Sequence, residues 1–256
     1  MRVQTNALPP HCYSTPSTVT ETKYDIKFVF NPMTTTTRTF TSQSAFDSVA
    51  CLPNKTSVVP TESYFTNMNT AVGVTTLAGI TINGVVILSS ASADYVDPFY
   101  PQTWSGATSV TAESVDTCIA HPQGSGVYHY HFLPSCLYGT PTTGSCASNT
   151  ACTSNLKTFA LDTFSSKKTQ TVVGIARDGH LIMGPYDSTG SVFDCASLDQ
   201  CGGKYLTDTA KSYVYVFSNT FPYTMNCFGP SSTLKYKASC STNTCTSTSS
   251  TSLLQQ

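Results

Sequence analysis

The sequence carries little charge: Asp, Glu, Lys and Arg make up 11% of its 256 residues, and the formal net charge is −1. No basic stripe or acidic run stands out, so neither nucleic acid nor an anionic membrane surface is expected as an electrostatic partner. No stretch approaches the roughly eighteen apolar residues of a spanning helix, and no membrane span is expected. Helix-forming runs of Ala, Leu, Glu and Lys are missing, and tryptophan occurs once, at Trp104. The Gly-x-Ser-x-Gly elbow, the His-Glu-x-x-His helix and a phosphate-cradling glycine loop are also missing, which weighs against hydrolase and nucleotide readings. Met1 to Asn6 lacks the apolar centre of a secretory signal, which agrees with the exterior address read below from the cysteines only where the numbering begins after processing.

What the chain has instead is sulfur and hydroxyl. Eleven cysteines (Cys12, Cys51, Cys118, Cys136, Cys146, Cys152, Cys195, Cys201, Cys227, Cys240 and Cys245) are scattered rather than grouped in Cys-x-x-Cys knuckles. That scatter points to disulfides rather than zinc knuckles, and to a secreted or cell-surface address outside the reducing cytosol. Eleven is odd, so five intrachain bridges leave one cysteine over, and any of the eleven is a candidate. Ser and Thr supply roughly three residues in ten, and Asn54-Lys55-Thr56 is an N-glycosylation sequon. Ser14 to Thr18, Thr34 to Thr37 and Thr246 to Thr251 are hydroxyl clusters suited to O-glycans or to plain polar loops.

The composition favours strands. Tyr24 to Phe30 and Thr34 to Phe40, broken by Asn31-Pro32, read as a hairpin or strand pair. Val72 to Leu88 contains Asn83-Gly84, and Val172 to Pro185 contains Asp178-Gly179, both hairpin signals. Tyr213 to Phe217 is a further strand. The fold class expected is mainly β: a disulfide-rich antiparallel sheet or sandwich-like domain with long loops and little helix. Its organisation is a Thr-rich β extension over residues 1–71, a central domain over 72–229 and a Ser/Thr-rich tail over 230–256. Cys240 and Cys245 are the tail's only obvious anchors.

Four of the five histidines lie between positions 121 and 180, and the densest block is Tyr128-His129-Tyr130-His131. Side chains alternate along a strand, so His129 and His131 share one face and Tyr128 and Tyr130 the other. Two imidazoles about 7 Å apart along a strand can share a metal. His121 is the nearest third ligand, followed by His180 and Asp178. The same residues also suit a buried hydrogen-bonded network or, with a suitable neighbour, acid/base catalysis. Copper or zinc is the expected occupant of a metal site, because imidazole suits both and calcium needs more carboxylates.

Three stretches carry a family resemblance: Asp116 to Pro122, Gly126 to Cys136 and Gly174 to Pro185. With Asn83-Gly84-Val85 before them, and Leu198 to Gly203, Thr220 to Tyr223 and Cys227-Phe228 after, they resemble the YHYH-domain family over about residues 72–229. The resemblance implies a secreted or surface protein, and His180 stands where members of that family commonly have an apolar residue. The metal candidates read from the residues themselves are His121, His129, His131 and His180, with Tyr128, Tyr130, Asp178 and Asp116 behind them. The resemblance also exposes an internal echo, Cys118-x-x-His121 and Tyr128 to His131 against Cys201-x-x-Lys204 and Tyr213 to Val216. The second copy has no histidine, so at most one site is expected.

Two functions follow as expectations. One is an extracellular glycosylated structural subunit that self-associates into a homo-oligomer, fibril, coat or matrix, with the histidines as a metal clip. The other is an extracellular metal-dependent enzyme, hydrolytic or redox, with Asp178 as general base. A carbohydrate-binding module built on Tyr95, Tyr100 and Trp104 is a third.

Overall fold

The computed structural model describes residues 1–15, 17–27, 29–32, 37–52, 77–105, 108–122, 124–138, 144–207 and 212–246. Among them, two short strands, β1 (Arg2–Thr5) and β2 (Tyr24–Lys27), pair as an antiparallel ribbon. The remaining strands are β3 (Leu77–Thr81), β4 (Val86–Leu88), β5 (Ala120–Pro122), β6 (Tyr128–Tyr130), β7 (Val172–Ala176), β8 (Leu181–Met183), β9 (Gly203–Tyr205) and β10 (Tyr213–Val216). They form one sheet in the order β5-β6-β4-β3-β7-β8-β10-β9. The class is mainly β, as the composition implied. Within the sheet, the β4–β6 and β8–β10 pairings are parallel and the rest antiparallel.

That order describes two copies of one motif related by a pseudo-twofold axis. A hairpin (β3–β4, or β7–β8) is followed by a crossover to a second hairpin (β5–β6, or β9–β10), whose last strand lies parallel to the first hairpin's last strand. The axis passes between β3 and β7, where Ile80 faces Ile175 and the flanking pairs Gly79↔Ala176 and Thr81↔Gly174 exchange places. A Cβ on Gly79 would lie 2.7 Å from the Ile175 carbonyl oxygen, and one on Gly174 would lie 2.5 Å from that of Ile80. The closeness of the two central strands therefore demands glycine at both symmetry-related places.

The two first hairpins turn alike. Gly84 N–H bonds the Thr81 carbonyl while Thr81 pairs with Val85, and Gly179 N–H bonds the Ala176 carbonyl while Ala176 pairs with His180. Only the glycines have positive φ, +87° and +92°, the signature of a three-residue loop with a glycine bulge. Gly179 is also a docking point: Asn31 N–H bonds its carbonyl at 2.8 Å, and an added Cβ would lie 1.9 Å from the Val29 oxygen. Gly179→Ala is therefore expected to cost roughly 2 kcal/mol or more in denaturant unfolding. Gly124→Ala, with nothing within 4 Å of its added carbon, stays near neutral.

Side-chain alternation feeds two cores. Ile87, Ile182, Tyr215 and Phe217 face a cluster that includes Phe46 and Val49 of helix α1 (Gln43–Ala50). Ala160 of helix α3 (Leu156–Thr163) joins them; the short helix α2 (Thr150–Ser154) precedes it. Ile80, Val86 and Leu88 pack instead against Tyr24 and Ile26 of the ribbon. The N-terminal expectation needs correction here. Tyr24–Lys27 pairs with Arg2–Thr5; of the Thr34–Phe40 stretch, residues 34–36 lie outside the described residues and residues 37–40 make one bridge, Arg38↔Ser231. Arg2 and Gln4 both reach the Asp25 carboxylate, a partner that no local pattern shows.

Five bridges are formed: Cys51–Cys240, Cys118–Cys136, Cys146–Cys152, Cys195–Cys245 and Cys201–Cys227. Cys12 is the free thiol and is exposed. Cys118–Cys136 and Cys201–Cys227 occupy corresponding places in the two motif copies. Cys51–Cys240 and Cys195–Cys245 tie the segment after Gly229 to the domain, so its described part is stapled in place despite its composition. Asn54 and part of each hydroxyl cluster lie outside the described residues.

Candidate metal centre

The histidine block lies at one end of the sheet, in the β5–β6 hairpin. Register places His121 directly opposite His129, and His131 is two residues farther along the face that His129 occupies. Ring centroids are 4.5 Å apart for His121 and His129, 4.6 Å for His129 and His131, and 5.5 Å for His121 and His131. Tyr128 and Tyr130 point the other way, into a cluster with Val19, Val85 and Ala120.

The hairpin is held from its start by Asp116. Its carboxylate accepts the backbone N–H groups of Cys118 (2.9 Å) and Ala120 (3.3 Å) and the Tyr128 hydroxyl (2.7 Å). Asp199 does the same in the second copy for Cys201, Gly203 and Tyr213. The copies differ at the next position that matters. Ile119 has φ +59° where the second copy has Gly202 at φ +81°. A β-branched residue in the left-handed region is strained, and here the strain lies two residues before His121.

Second contacts fix the hydrogens of two imidazoles. His129 Nδ1 lies 2.9 Å from the Val127 carbonyl oxygen and His131 Nδ1 lies 2.6 Å from that of Ser89. A carbonyl only accepts, so each Nδ1 carries the hydrogen, and in the neutral ring each Nε2 presents a lone pair. Those two Nε2 atoms are 2.9 Å apart. Glu113 closes the group: its Oε2 is 3.2 Å from His121 Nε2 and 3.5 Å from His131 Nε2. His129 is fully buried, whereas the side chains of His121 and Glu113 are 17% and 20% exposed.

Electrostatics follow from that packing. Burial drives the His129 pKa far below its ordinary value, and the neighbouring His131 and His121 push in the same direction. Burial lowers His131 as well, with Glu113 partly offsetting it. For Glu113 burial acts upward, but the positive charge that His131 and His121 carry when protonated outweighs it and holds the carboxyl below its usual range.

Of the residues singled out in the sequence, His121, His129 and His131 converge, with ligand atoms within 4.8 Å of one another. Asp116, Tyr128 and Tyr130 brace the same hairpin from its other face. His180 and Asp178 are not brought there. They sit at the β7–β8 turn of the second copy, where His180 takes the place of Val85. The Asp178 carboxylate accepts the Tyr215 hydroxyl at 2.5 Å, and the His180 ring stands 5.2 Å from that of Tyr213. The reading of Asp178 as a general base beside the imidazoles is corrected accordingly. Burial moves Asp178 up to about 7 and His180 down to about 4. Lys204, Val214 and Val216 stand where the three ligands would be, and both valines pack with Met183, Phe193 and Leu198. Glu113 was missed. It is one of three glutamates in the chain, in a polar loop, with no periodic pattern to point it at the histidines.

A disulfide-stapled, two-copy β domain with converging imidazoles in one copy is the class of protein that these features define. A family model described as YHYH protein matches residues 56–197, more than half of the chain. The chain belongs to the YHYH family. No curated protein and no solved structure matches it. The matched residues include the histidine hairpin and both central strands and stop before β9.

Proposed function

We propose that this is an extracellular scaffold domain whose histidine hairpin binds one copper or zinc ion through His121, His129 and His131, with Glu113 as fourth donor. One observation carries the reading. Two imidazole lone pairs face each other at 2.9 Å with both Nδ1 hydrogens already committed to carbonyls. Bare lone pairs repel at that distance, and only a proton or a metal cation between them turns repulsion into attraction. Burial opposes the proton, since it depresses both pKa values. An ion at the usual 2.0–2.1 Å from each nitrogen would set the pair about 3.3 Å apart, a small opening of the present spacing.

Three neutral imidazoles and one carboxylate suit zinc or copper(II) and offer too few oxygens for calcium. Four protein donors make a closed site, which favours a structural clip over an enzyme with a standing open position. Such a clip joins edge strand β5 to β6 at the sheet's end, where three-residue strands contribute few ladder bonds. The extracellular address is supported by five disulfides. Self-association remains part of the proposal, with the exposed Cys12 as the group able to bridge two copies. Pairing along β5 is discouraged by its length and by Pro122.

Titrating the metal-stripped, disulfide-intact chain with zinc or copper(II) tests the site. One equivalent is expected to bind, and free metal at a hundred times Kd raises stability by about 2.7 kcal/mol. In a domain of this size that lifts Tm by roughly 5 to 10 °C. A folded chain that takes up no metal by elemental analysis refutes the proposal.

A further inference from the structure

The Cys118–Cys136 bridge closes the loop that carries His121, His129 and His131, and it differs from its counterpart in the second copy. Cys201 and Cys227 are sealed, at 0% and 2% exposure, whereas Cys118 is buried and Cys136 is partly exposed. A ring nitrogen of His11 lies within 4.8 Å of both Cys118 Sγ and Cys136 Sγ, and among the described residues no such group forms at Cys201–Cys227. His11 arrives from the segment between β1 and β2, which is pinned to the histidine hairpin by the Thr20 N–H on the Gly126 carbonyl at 2.8 Å.

A short chain of contacts sets the hydrogens of the His11 ring. Tyr128 donates its hydroxyl hydrogen to Asp116 Oδ2 at 2.7 Å, so its oxygen is left to accept, and His11 Nε2 at 3.3 Å donates to it. In the neutral ring Nδ1 then carries the lone pair, and that atom is buried with no hydrogen-bond partner. Burial lowers the His11 pKa, which favours the neutral ring. An unengaged base therefore stands beside two bridged sulfurs, one of them on a partly exposed residue.

We infer that Cys118–Cys136 is a thiol–disulfide exchange site, at which an incoming thiol attacks Cys136 Sγ with His11 as its proton acceptor. The proton of the thiol passes to His11 Nδ1, and its sulfur bonds Cys136 Sγ. Cys118 Sγ leaves with the electron pair of the broken bond and takes the proton from His11, so one disulfide replaces another with no net oxidation. The thiol is a small molecule or the exposed Cys12, which follows His11 in the chain. No metal takes part.

Glutathione is added to the full, disulfide-intact chain near neutral pH, and the products are trapped by acid, alkylated and mapped by peptide mass spectrometry. The first adduct is expected on Cys136 and the first new thiol on Cys118, at least about tenfold faster than any opening of Cys201–Cys227. His11→Gln keeps a donor for Tyr128 but has no base, and it slows the adduct by about tenfold or more while circular dichroism is unchanged. The pH profile separates proton transfer from a structural role. Between about pH 6.5 and 8.5 the unmodified chain reacts at a nearly constant rate, whereas the rate for His11→Gln rises about tenfold per pH unit with the thiolate. Incubation without added thiol separates the sources. A Cys12–Cys136 link that Cys12→Ser abolishes assigns the attack to Cys12, and a glutathione adduct without such a link assigns it to a small thiol. Opening of Cys118–Cys136 no faster than that of Cys201–Cys227 overturns the site. Equal rates and parallel pH profiles for His11→Gln and the unmodified chain overturn the role of His11.

Discussion

Alanine in place of His129 lowers the affinity for copper or zinc by at least about 100-fold and abolishes the metal-dependent rise in Tm. His129 holds the centre of the group: it is paired across the strands with His121 and shares its face with His131. Its Nδ1–H is anchored on Val127 at 2.9 Å, so its Nε2 lone pair is oriented before any ion arrives. Losing even an orienting partner of such a ligand commonly costs 10- to 100-fold, and losing the ligand itself costs more. The second copy of the motif supplies the control. Lys204 occupies the position of His121 on the opposite edge of the sheet, so Lys204→Ala leaves metal affinity unchanged. Calorimetry on the two variants, with circular dichroism to show that both are folded, decides the matter. Equal affinities for the His129 variant and the unmodified chain would sink the site.

Asp178→Asn flattens one component of the stability profile between pH 4 and 8. Asp178 is buried under Tyr215, and burial raises its carboxyl from 3.8 to about 7 in the folded chain. Between those values the folded state binds a proton that the unfolded state has released. The stability linked to this group is therefore fully present below about pH 4 and is lost as pH rises through about 7. A shift of this size corresponds to about 4 kcal/mol. Asparagine keeps an oxygen for the Tyr215 hydroxyl and has nothing to titrate. The unmodified chain minus the variant should thus lose about 4 kcal/mol from pH 4 to 8 in denaturant unfolding. The difference is the quantity to read, because His180, lowered to about 4, acts in the opposite sense in both proteins. Its contribution is lost as pH falls from the ordinary histidine value toward 4, as are those of the buried His129 and His131. Parallel profiles for the two proteins would show that Asp178 stays ionised in the fold.

Much of the sheet was legible because it is written in short-range chemistry. Asn83-Gly84 and Asp178-Gly179 mark the two hairpins, since only glycine enters the left-handed region there without strain. The alternation of Tyr128 to His131 places two imidazoles on one face whatever surrounds them. The partners of Tyr24–Lys27 were not legible, because strand pairing is chosen by burial and charge at a distance. Arg2 and Gln4, more than twenty residues earlier in the chain, reach Asp25. Glu113 was hidden for the same reason: a loop has no period, and only the Pro98 contact and the turn at Asp116 bring its carboxylate to the histidines.

The cysteines divide the two kinds of information most cleanly. Their number and scatter called for bridges and one leftover thiol, a conclusion of parity that needs no coordinates. Which thiol is left, Cys12, follows from which sulfurs the fold brings into bonding range, including Cys51 and Cys240 at a separation of 189 residues. By itself the sequence determined the β class, the turns, the shared face of His129 and His131 and the family, all properties of neighbouring residues. Tertiary structure alone decided that the two echoing halves meet antiparallel across β3 and β7, the exclusion of His180 and Asp178 and the inclusion of Glu113. Those outcomes depend on side chains far apart in the chain meeting in space, where packing and charge select the partner and no local pattern records it.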